Sequence, residues 1–538
     1  ERRSLKGKPQ VLFPCGKEEG GRMRDLMSTY EKGSVHTEAV MNYCSDCNRT
    51  TPFSFCPYCG EEAEEMRVCP QCGEKTKSEK HCGKETSRSS ERDINVKELI
   101  DIAKENLDIN VLPDLFKSMR GMTSKKKVVE PLEKGLLRNK YDLYVNKDGT
   151  TRYDATDLTL THFKPKEVGT SISRLKELGY EEDIHGNELH DEDQVLLLKA
   201  QDIVISDNEY DISATEYFMR SAKFIDELME KFYNIEPYYE MDSREYLIGK
   251  LVIGLAPHTS GGIIGRIIGV TKAKGIYAHP YWHAGKRRNS DGDEDSIMLL
   301  MDAFLNFSRQ FLPDMRGGRT MDAPLILSSV LRPEEVDDES WNVEVVEEYP
   351  LEFFEATHEY KYPWEVDVDI AEDRIEKGDP FNFSYTHETS NIDDAPIQSN
   401  YVTLGEMSEK VQSQLSLGRT IKAVRENEVA ELLLEKHFLR DIRGNLRAFS
   451  RQTFRCVDCN EKYRRIPLQG VCKECGGKLL LTVSSGTIKK YLIPSEEIAE
   501  NFAISTYLRQ QLKTIKKRIQ SMFGKDNRQS SLGQFVSS

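Results

Sequence analysis

Gly285-Lys-Arg-Arg-Asn-Ser-Asp-Gly-Asp-Glu-Asp-Ser296 is the stretch on which the reading of this 538-residue chain turns. Asp291, Asp293 and Asp295 alternate around Gly292, so hard oxygen donors fall at every second position of a turn, a pattern that converges on Mg2+. Lys286, Arg287 and Arg288 precede them almost directly. Carboxylates that hold a cation beside bases that hold phosphates are what phosphoryl transfer needs. Two plainer readings compete. In a helix–loop–helix calcium site the glycine would come later and a Glu would close the loop, where Asp302 stands. A solvated turn of mixed charge would also look like this.

Just upstream, Leu255-Ala-Pro-His-Thr-Ser-Gly-Gly-Ile-Ile-Gly-Arg266 is glycine-rich, but no Gly-Lys-Ser/Thr follows, so it is not a P-loop. Tyr277-Ala-His-Pro-Tyr-Trp-His283 is dense in aromatic and imidazole groups. His279 and His283 are open to two readings, as ligands of a metal or nucleotide or as packed side chains.

The chain has 75 basic and 90 acidic residues, a formal charge of −15, with 38% hydrophobic and 31% charged residues. That composition is polar but fits a folded protein, and the length fits three or four domains. No stretch approaches the ~20 apolar residues of a membrane span. The first residue is Glu1, which points to a processed, split or fragmentary chain. The net charge argues against a nucleic-acid partner only until it is divided. Residues 331–400 hold 4 basic and 21 acidic side chains, a balance of −17, which leaves +2 for the remainder. Residues 250–290 hold seven basic residues and no acid, and 501–538 hold seven and one. A polyanion partner stays open.

Eleven of the 12 cysteines fall in two clusters. The first runs Cys44-x2-Cys47, Cys56-x2-Cys59, Cys69-x2-Cys72, then Cys82; the second is Cys456-x2-Cys459 with Cys472-x2-Cys475. A Cys-x-x-Cys turn aims two thiolates at one tetrahedral ion, and a second turn completes the set. Cys44/47/56/59 and Cys456/459/472/475 therefore read as closed, structural Zn2+ sites. Disulfides would fit a small secreted protein, not a chain of this size. The middle set offers three thiolates, and Glu79 stands where a fourth cysteine would fall. Either His81 supplies the fourth ligand or the site is degenerate, so two to three zinc ions are expected. Cys15 is alone and reads as a buried small residue.

Periodicity predicts a strand at Val11–Phe13, helices over Val96–Asn106 and Ser213–Tyr233, and tightly turned β structure followed by a helix over 246–330. A polar linker is expected at 85–95, mostly helix over 401–450, and one basic amphipathic helix over 496–523. The fold class is α+β and multidomain.

Several segments together resemble one family. They are Ala256-Pro-His-Thr-Ser260, Tyr277-Ala-His-Pro-Tyr281, Lys286 through Ser296, Met321-Asp-Ala-Pro-Leu325, Tyr349-Pro-Leu-Glu-Phe-Phe-Glu-Ala-Thr357, Gly444-Asn-Leu-Arg-Ala-Phe449, Phe454-Arg-Cys456 and Lys462-Tyr-Arg-Arg465. The run is similar to the large subunit of the archaeal family D replicative DNA polymerases. That resemblance implies a catalytic core of two double-psi β-barrels, as in cellular RNA polymerases, with Asp291 and Asp293 as the paired aspartates and Asn289 as an adjacent site residue. It implies Mg2+-dependent addition of dNTPs to the primer 3′ end on primer-template DNA. It also implies a small 3′–5′ exonuclease subunit as partner, and a cytoplasmic, nucleoid-associated location. The implied organisation is 1–40, end of the first barrel; 41–90, zinc-ribbon region; 91–245, α+β connecting domain; 246–345, second barrel with the aspartates; 346–450, acidic and helical region; 451–490, zinc ribbon; 491–525, basic helix; and 526–538, tail. The rest of the first barrel is expected from an N-terminal part of the large subunit.

Gln529-Ser-Ser-Leu532-Gly-Gln-Phe535-Val536 resembles a sliding-clamp-binding peptide, with Gln529, Leu532 and Phe535 as its anchors. Under the polymerase reading Lys286, Arg287, Arg288 and Arg266 hold phosphates. The competing readings are a zinc-ribbon scaffold without chemistry of its own and a Mg2+-dependent nuclease, whose specific motifs are absent.

Overall fold

The computed structural model describes residues 8–15, 24–119, 121, 126–208, 212–256, 261–287, 292, 294–312, 325–385, 391–394, 403–421, 424–457, 461–481 and 483–523. They belong to two compact units, Glu1–Leu351 with Asp367–Ile397, and Glu352–Val366 with Gln398–Ser538. The architecture is α+β, as expected, with several separate sheets.

The first unit is built around a closed ring of six strands: β1 (Tyr153–Thr159), β2 (Asp202–Ser206), β3 (Leu251–Leu255), β4 (Gly261–Thr271), β5 (Gly275–Ala278) and β6 (Glu294–Leu299). The hydrogen-bonded order is β2-β5-β1-β6-β3-β4, and β4 returns to β2 to close the ring. Two pairings are parallel, β2 with β4 and β1 with β5; the other four are antiparallel. Ile326–Ser328 adds a parallel strand at the start of β4.

β2 to β5 read as near-continuous apolar runs because both faces are buried, against different partners. Val252, Ile263, Ile267, Ile203, Ile205, Ile276 and Ile297 join the main core, while their neighbours Val204, Ile268 and Tyr277 pack into a second core. Ile253, Leu255 and Met298 form a third with Ala303. Where one face meets solvent, a strand alternates; where both are covered, alternation disappears. β1 and β2 come from the region expected to be a connecting segment, 91–245. β1 carries four polar or acidic residues in Tyr-Asp-Ala-Thr-Asp-Leu-Thr, so its central place in the ring was not visible as an apolar run.

The helix expected at Val96–Asn106 is present, capped by Asn95 Oδ1, which accepts from Glu98 N at 3.2 Å. The second, α1 (Ala214–Lys231), starts after Ser213, whose hydroxyl accepts from Glu216 N. Two local expectations are corrected. Residues 85–95 are not a linker: Ser89–Asn95 is a strand paired antiparallel along Ser34–Val40. Its polar side chains are used across the ladder, with Ser89 donating to Glu38 at 2.7 Å and Arg92 to the Val40 carbonyl at 3.0 Å. Val11–Phe13 is fully buried but forms no strand. Leu12 N donates instead to the Glu130 carboxylate at 3.0 Å, and Glu130 is held by a two-point ion pair from buried Arg138.

The second unit is helical, as expected, with Met407–Thr420, Glu426–Leu432, a π-turn segment Leu433–Phe438, α3 (Leu439–Arg451), Leu492–Asn501 and α4 (Thr506–Phe523) around one core. The single basic helix expected over 496–523 is broken at 502–505. Phe502 and Ile504 turn inward there, and Arg509 donates to the freed Phe502 carbonyl at 2.9 Å.

Candidate functional site

Leu255, the last residue of β3, pairs with Gly262 of β4 on one side and Ser296 of β6 on the other. The end of β3 and the starts of β4 and β6 therefore meet at one end of the barrel. The glycine-rich segment and the aspartate loop both join the barrel there. A Cβ on Gly261 would lie 3.1 Å from Arg287 Cγ, so the roots of the two segments touch. Gly292, between the paired aspartates, has φ +83°, the left-handed turn conformation that glycine adopts without strain. Asn289, Asp291, Asp293 and Arg288 lie outside the described residues.

Residues that flank the loop in sequence form a buried charged cluster. Lys286 is 1% exposed, and its ammonium donates to Asp295 Oδ2 and, at 2.9 Å, to His283 Nδ1. His283 Nε2 lies 2.9 Å from the Leu158 carbonyl, so Nε2 carries the proton and Nδ1 accepts. Burial holds the His283 pKa well below its ordinary value, and the adjacent ammonium adds to that. Burial also pulls Lys286 downward, against the opposing field of Asp295. Acceptor atoms of Asp157, His283 and Asp295 all lie within 4.8 Å of one another, the spacing of a metal-binding trio. The cation among them is the chain's own ammonium, which also lies 4.5 Å from the Trp282 ring centroid.

Trp282 belongs to the short helix α2 (Pro280–Ala284), given by His279, whose Nδ1 accepts from Tyr281 N at 3.2 Å. Its indole fills space left by two glycines: a Cβ on Gly254 would come within 2.4 Å of the ring, and one on Gly265 within 3.0 Å. Side-chain-free positions on β3 and β4 thus seat the tryptophan that backs Lys286.

The sequence-predicted bases separate accordingly. Arg287 is exposed at the barrel end. Lys286, expected at phosphate, is instead buried and bonded to Asp295 and His283. Arg266, expected at phosphate, donates through Nε and Nη2 to both carboxylate oxygens of Asp202, at 2.8 and 2.7 Å, and Tyr180 donates to the same carboxylate at 2.6 Å. His279 is packed among aromatic rings, while His283 belongs to the charged cluster. His279 is 1% exposed between Tyr281 and Phe383, with its pKa pushed down to about 3 by burial. The anchoring role of Asp295 was missed; its only sequence signal is the spacing of His283 and Lys286, one helical turn apart.

The cysteine clusters fit zinc. The thiols of Cys44, Cys47, Cys56 and Cys59 gather within 4.8 Å, as do the donor atoms of Cys69, Cys72, His81 and Cys82. His81 Nδ1 lies 3.4 Å from Cys72 Sγ and 3.3 Å from Cys82 Sγ, so the middle set closes with the imidazole in place of a fourth thiolate. Cys456, Cys472 and Cys475 gather likewise; Cys459 lies outside the described residues. So do Gln529, Leu532 and Phe535. No helix among the described residues is long and apolar enough to cross a membrane.

Against known proteins, the chain matches the DNA polymerase II large subunit DP2 catalytic domain over residues 109–410 and the DP2 central domain over 1–78. It is 47% identical to the DNA polymerase II large subunit of Archaeoglobus fulgidus, aligned over 99% of this chain and 47% of that protein. It is 47% identical to that of Pyrococcus furiosus, over 97% and 42%. For Methanothermobacter thermautotrophicus the identity is 45%, over 99% and 46%. The chain spans about half the length of these curated relatives. The catalytic-domain match runs unbroken through the barrel and the aspartate loop and takes in more than half of the residues, and on that ground the chain belongs to the DNA polymerase II large-subunit family.

Proposed function

We propose that the chain is the C-terminal part of the catalytic subunit of a DNA-directed DNA polymerase, with the six-stranded ring as its second double-psi barrel. The observation that supports this most is the convergence of the β3, β4 and β6 ends on the aspartate loop, within a segment matched by the family's catalytic domain. In this reading Asp291 and Asp293 hold two Mg2+, with Asn289 beside them. Mg2+ held there would supply charge neutralisation and a lowered pKa at the primer hydroxyl. The primer 3′ oxygen forms a bond to the α-phosphorus of the dNTP, the bond to the β-phosphate bridging oxygen breaks, pyrophosphate leaves, and the hydroxyl proton passes to solvent. Exposed Arg287 and neighbouring Arg288 hold phosphates, while Lys286 and Arg266, engaged with Asp295 and Asp202, act behind them by fixing the scaffold. The cysteine clusters hold structural Zn2+. Partners are primer-template DNA and dNTPs, the N-terminal part of the large subunit, a small subunit with 3′–5′ exonuclease activity, and a sliding clamp bound through Gln529, Leu532 and Phe535.

The test combines the chain with the N-terminal part and the small subunit and measures primer extension with Mg2+. Asp291→Ala and Asp293→Ala should each abolish extension while the complex still assembles. Extension that survives both changes rejects the assignment.

A further inference from the structure

The second unit exposes a segment rich in aromatic rings. Residues 352–366, Glu-Phe-Phe-Glu-Ala-Thr-His-Glu-Tyr-Lys-Tyr-Pro-Trp-Glu-Val, hold five aromatic side chains in fifteen, a third, against 9% for the whole chain. Such a density belongs in a core, yet Ala356 is the one buried residue among them. Trp364 is 77% exposed and Tyr362 60%, whereas Trp282 is fully buried and Trp341 half-buried. A contiguous exposed apolar face of this kind marks an interaction surface. The two most exposed rings are also fixed in place. Tyr362 and Trp364 stack with centroids 4.5 Å apart and planes within 5° of parallel. Pro363 between them sets the backbone, and the turn closes on itself: Tyr362 N donates to Glu365 Oε2 at 2.7 Å, and Glu365 N donates to the Tyr362 carbonyl at 3.0 Å. Among the described residues the outer faces of this pair meet neither another ring nor a cation. A platform ordered before binding loses little freedom when it is covered.

Charge selects the partner. The segment has four glutamates and one lysine, inside a stretch, 331–400, that balances at −17. Lys361 is bound to Glu359 at 2.6 Å, and that bond, with Glu365 and Glu355 adding to it, holds the ammonium above its ordinary pKa, so the carboxylates gather around it. Glu352 and Glu355 form no ion pair among the described residues. A nucleic acid or an anionic membrane is repelled from such a face, and a cationic partner is drawn to it. The segment already shows the contact it favours. The Arg425 guanidinium lies 4.0 Å from the Tyr360 ring centroid while Nη1 donates to Glu428 at 3.0 Å, an arginine held between a ring and a carboxylate. Guanidinium stacks flat on a ring where an ammonium cannot, and Tyr, Trp and Arg are the side chains enriched where proteins meet. We infer that residues 352–366 are a docking face for an arginine-rich segment of a partner protein, with Tyr362 and Trp364 as the stacking platform and Glu352 and Glu355 as counter-charges. The exposure, order and charge of the segment carry this assignment; it does not depend on the chemistry at the barrel end.

The experiment uses the full 538-residue chain with three fluorescent probes: a short peptide of alternating Arg and Gly, its Lys counterpart, and an oligo-dT. Anisotropy measures binding, and acrylamide quenching reads Trp364, the one tryptophan of the three that stands in solvent. The variants are Tyr362→Ala/Trp364→Ala, Glu352→Gln/Glu355→Gln, and Tyr507→Ala, which removes another exposed ring of the second unit. All four changed side chains of the segment are exposed, and thermal melting verifies that each variant is folded. The arginine peptide should bind the wild type and shield Trp364 from quenching. The ring variant should weaken it about tenfold, as expected of two cation–π contacts at exposed sites. The glutamine variant should weaken it at low salt and less at high salt. Tyr507→Ala should bind like the wild type, and the lysine peptide should bind the wild type more weakly than the arginine peptide. A ring variant that binds the arginine peptide like the wild type overturns the inference, because the attraction is then charge alone; equal affinity for the two peptides overturns it as well. Binding of oligo-dT that the ring variant loses would give the face to a nucleic acid. A wild type that sediments as a dimer beside a monomeric ring variant would give it to a second copy of this chain. Either result overturns the inference. None of these measurements bears on primer extension by the Asp291 and Asp293 variants, so the two readings fail separately.

Discussion

Replacing Lys286 with methionine isolates the charge of the buried cluster that flanks the aspartate loop in sequence. Methionine keeps much of the lysine stem's length and apolar volume, so no large cavity opens. What is lost is an ammonium that is 1% exposed, together with its bonds to Asp295, itself 4% exposed, and to His283 Nδ1. Removing one partner of a buried ion pair leaves the other charge desolvated, which costs about 3–5 kcal/mol. Lys286→Met should therefore destabilise the first unit by about that amount, a loss of about 2–4 °C in melting temperature for each kcal/mol at a domain size of 150–250 residues, and less for a larger unit. Lys286→Met/Asp295→Asn removes the orphaned charge and should recover at least half of the loss. Melting of the two variants beside Asp295→Asn alone closes a double-mutant cycle. Losses that simply add, or a single variant that melts within a degree of the wild type, would refute the claim that this buried pair stabilises the first unit.

Acid should destabilise the first unit through its buried histidines. His279 and His162, held at about 3 and about 4 when folded, return to about 6.5 when unfolded. The unfolded chain thus binds more protons between those values, and stability is complete above pH 6.5 and falls as pH drops, by up to about 1.4 kcal/mol per pH unit for each histidine. Melting from pH 7.5 to 5 should show this slope, and His279→Phe should reduce it; an unchanged slope rejects the attribution. His81→Ala should lower the zinc content of the chain by about one ion, and Glu79→Ala should leave it unchanged; equal zinc in the two variants would exclude His81 as a ligand. Gly254→Val should destabilise by about 1–3 kcal/mol, because a Cβ there would lie 2.4 Å from the Trp282 ring. If it melts like the wild type, the tryptophan is not held as described.

Much of the local structure was legible in the residues. Val96–Asn106 and Ala214–Lys231 follow from apolar spacing and from caps at Asn95 and Ser213, interactions that close within one turn of chain. The thiolate sets follow from Cys-x-x-Cys, because two ligands that close together need little from the rest of the fold. Most of the differences come from partners outside the local segment. Ser89–Asn95 looked like a linker because its polar side chains find their partners on a strand about 50 residues earlier. Arg266 and Lys286 counted as free bases in the sequence, yet their carboxylates come from Asp202 and from Asp295, across a ladder and across a loop.

What the sequence by itself determined is therefore the set of chemical groups and the short segments that present them: paired aspartates around a glycine and three thiolate-rich sets. Only the tertiary structure decided which charges remain available. Closing six strands from 153 to 299 into a ring buries both faces of the sheet, and a charge carried into that interior survives only beside an opposite one. Lys286 was neutralised in that way, Arg266, partly exposed, was paired with buried Asp202, and Arg287 was left exposed at the barrel end.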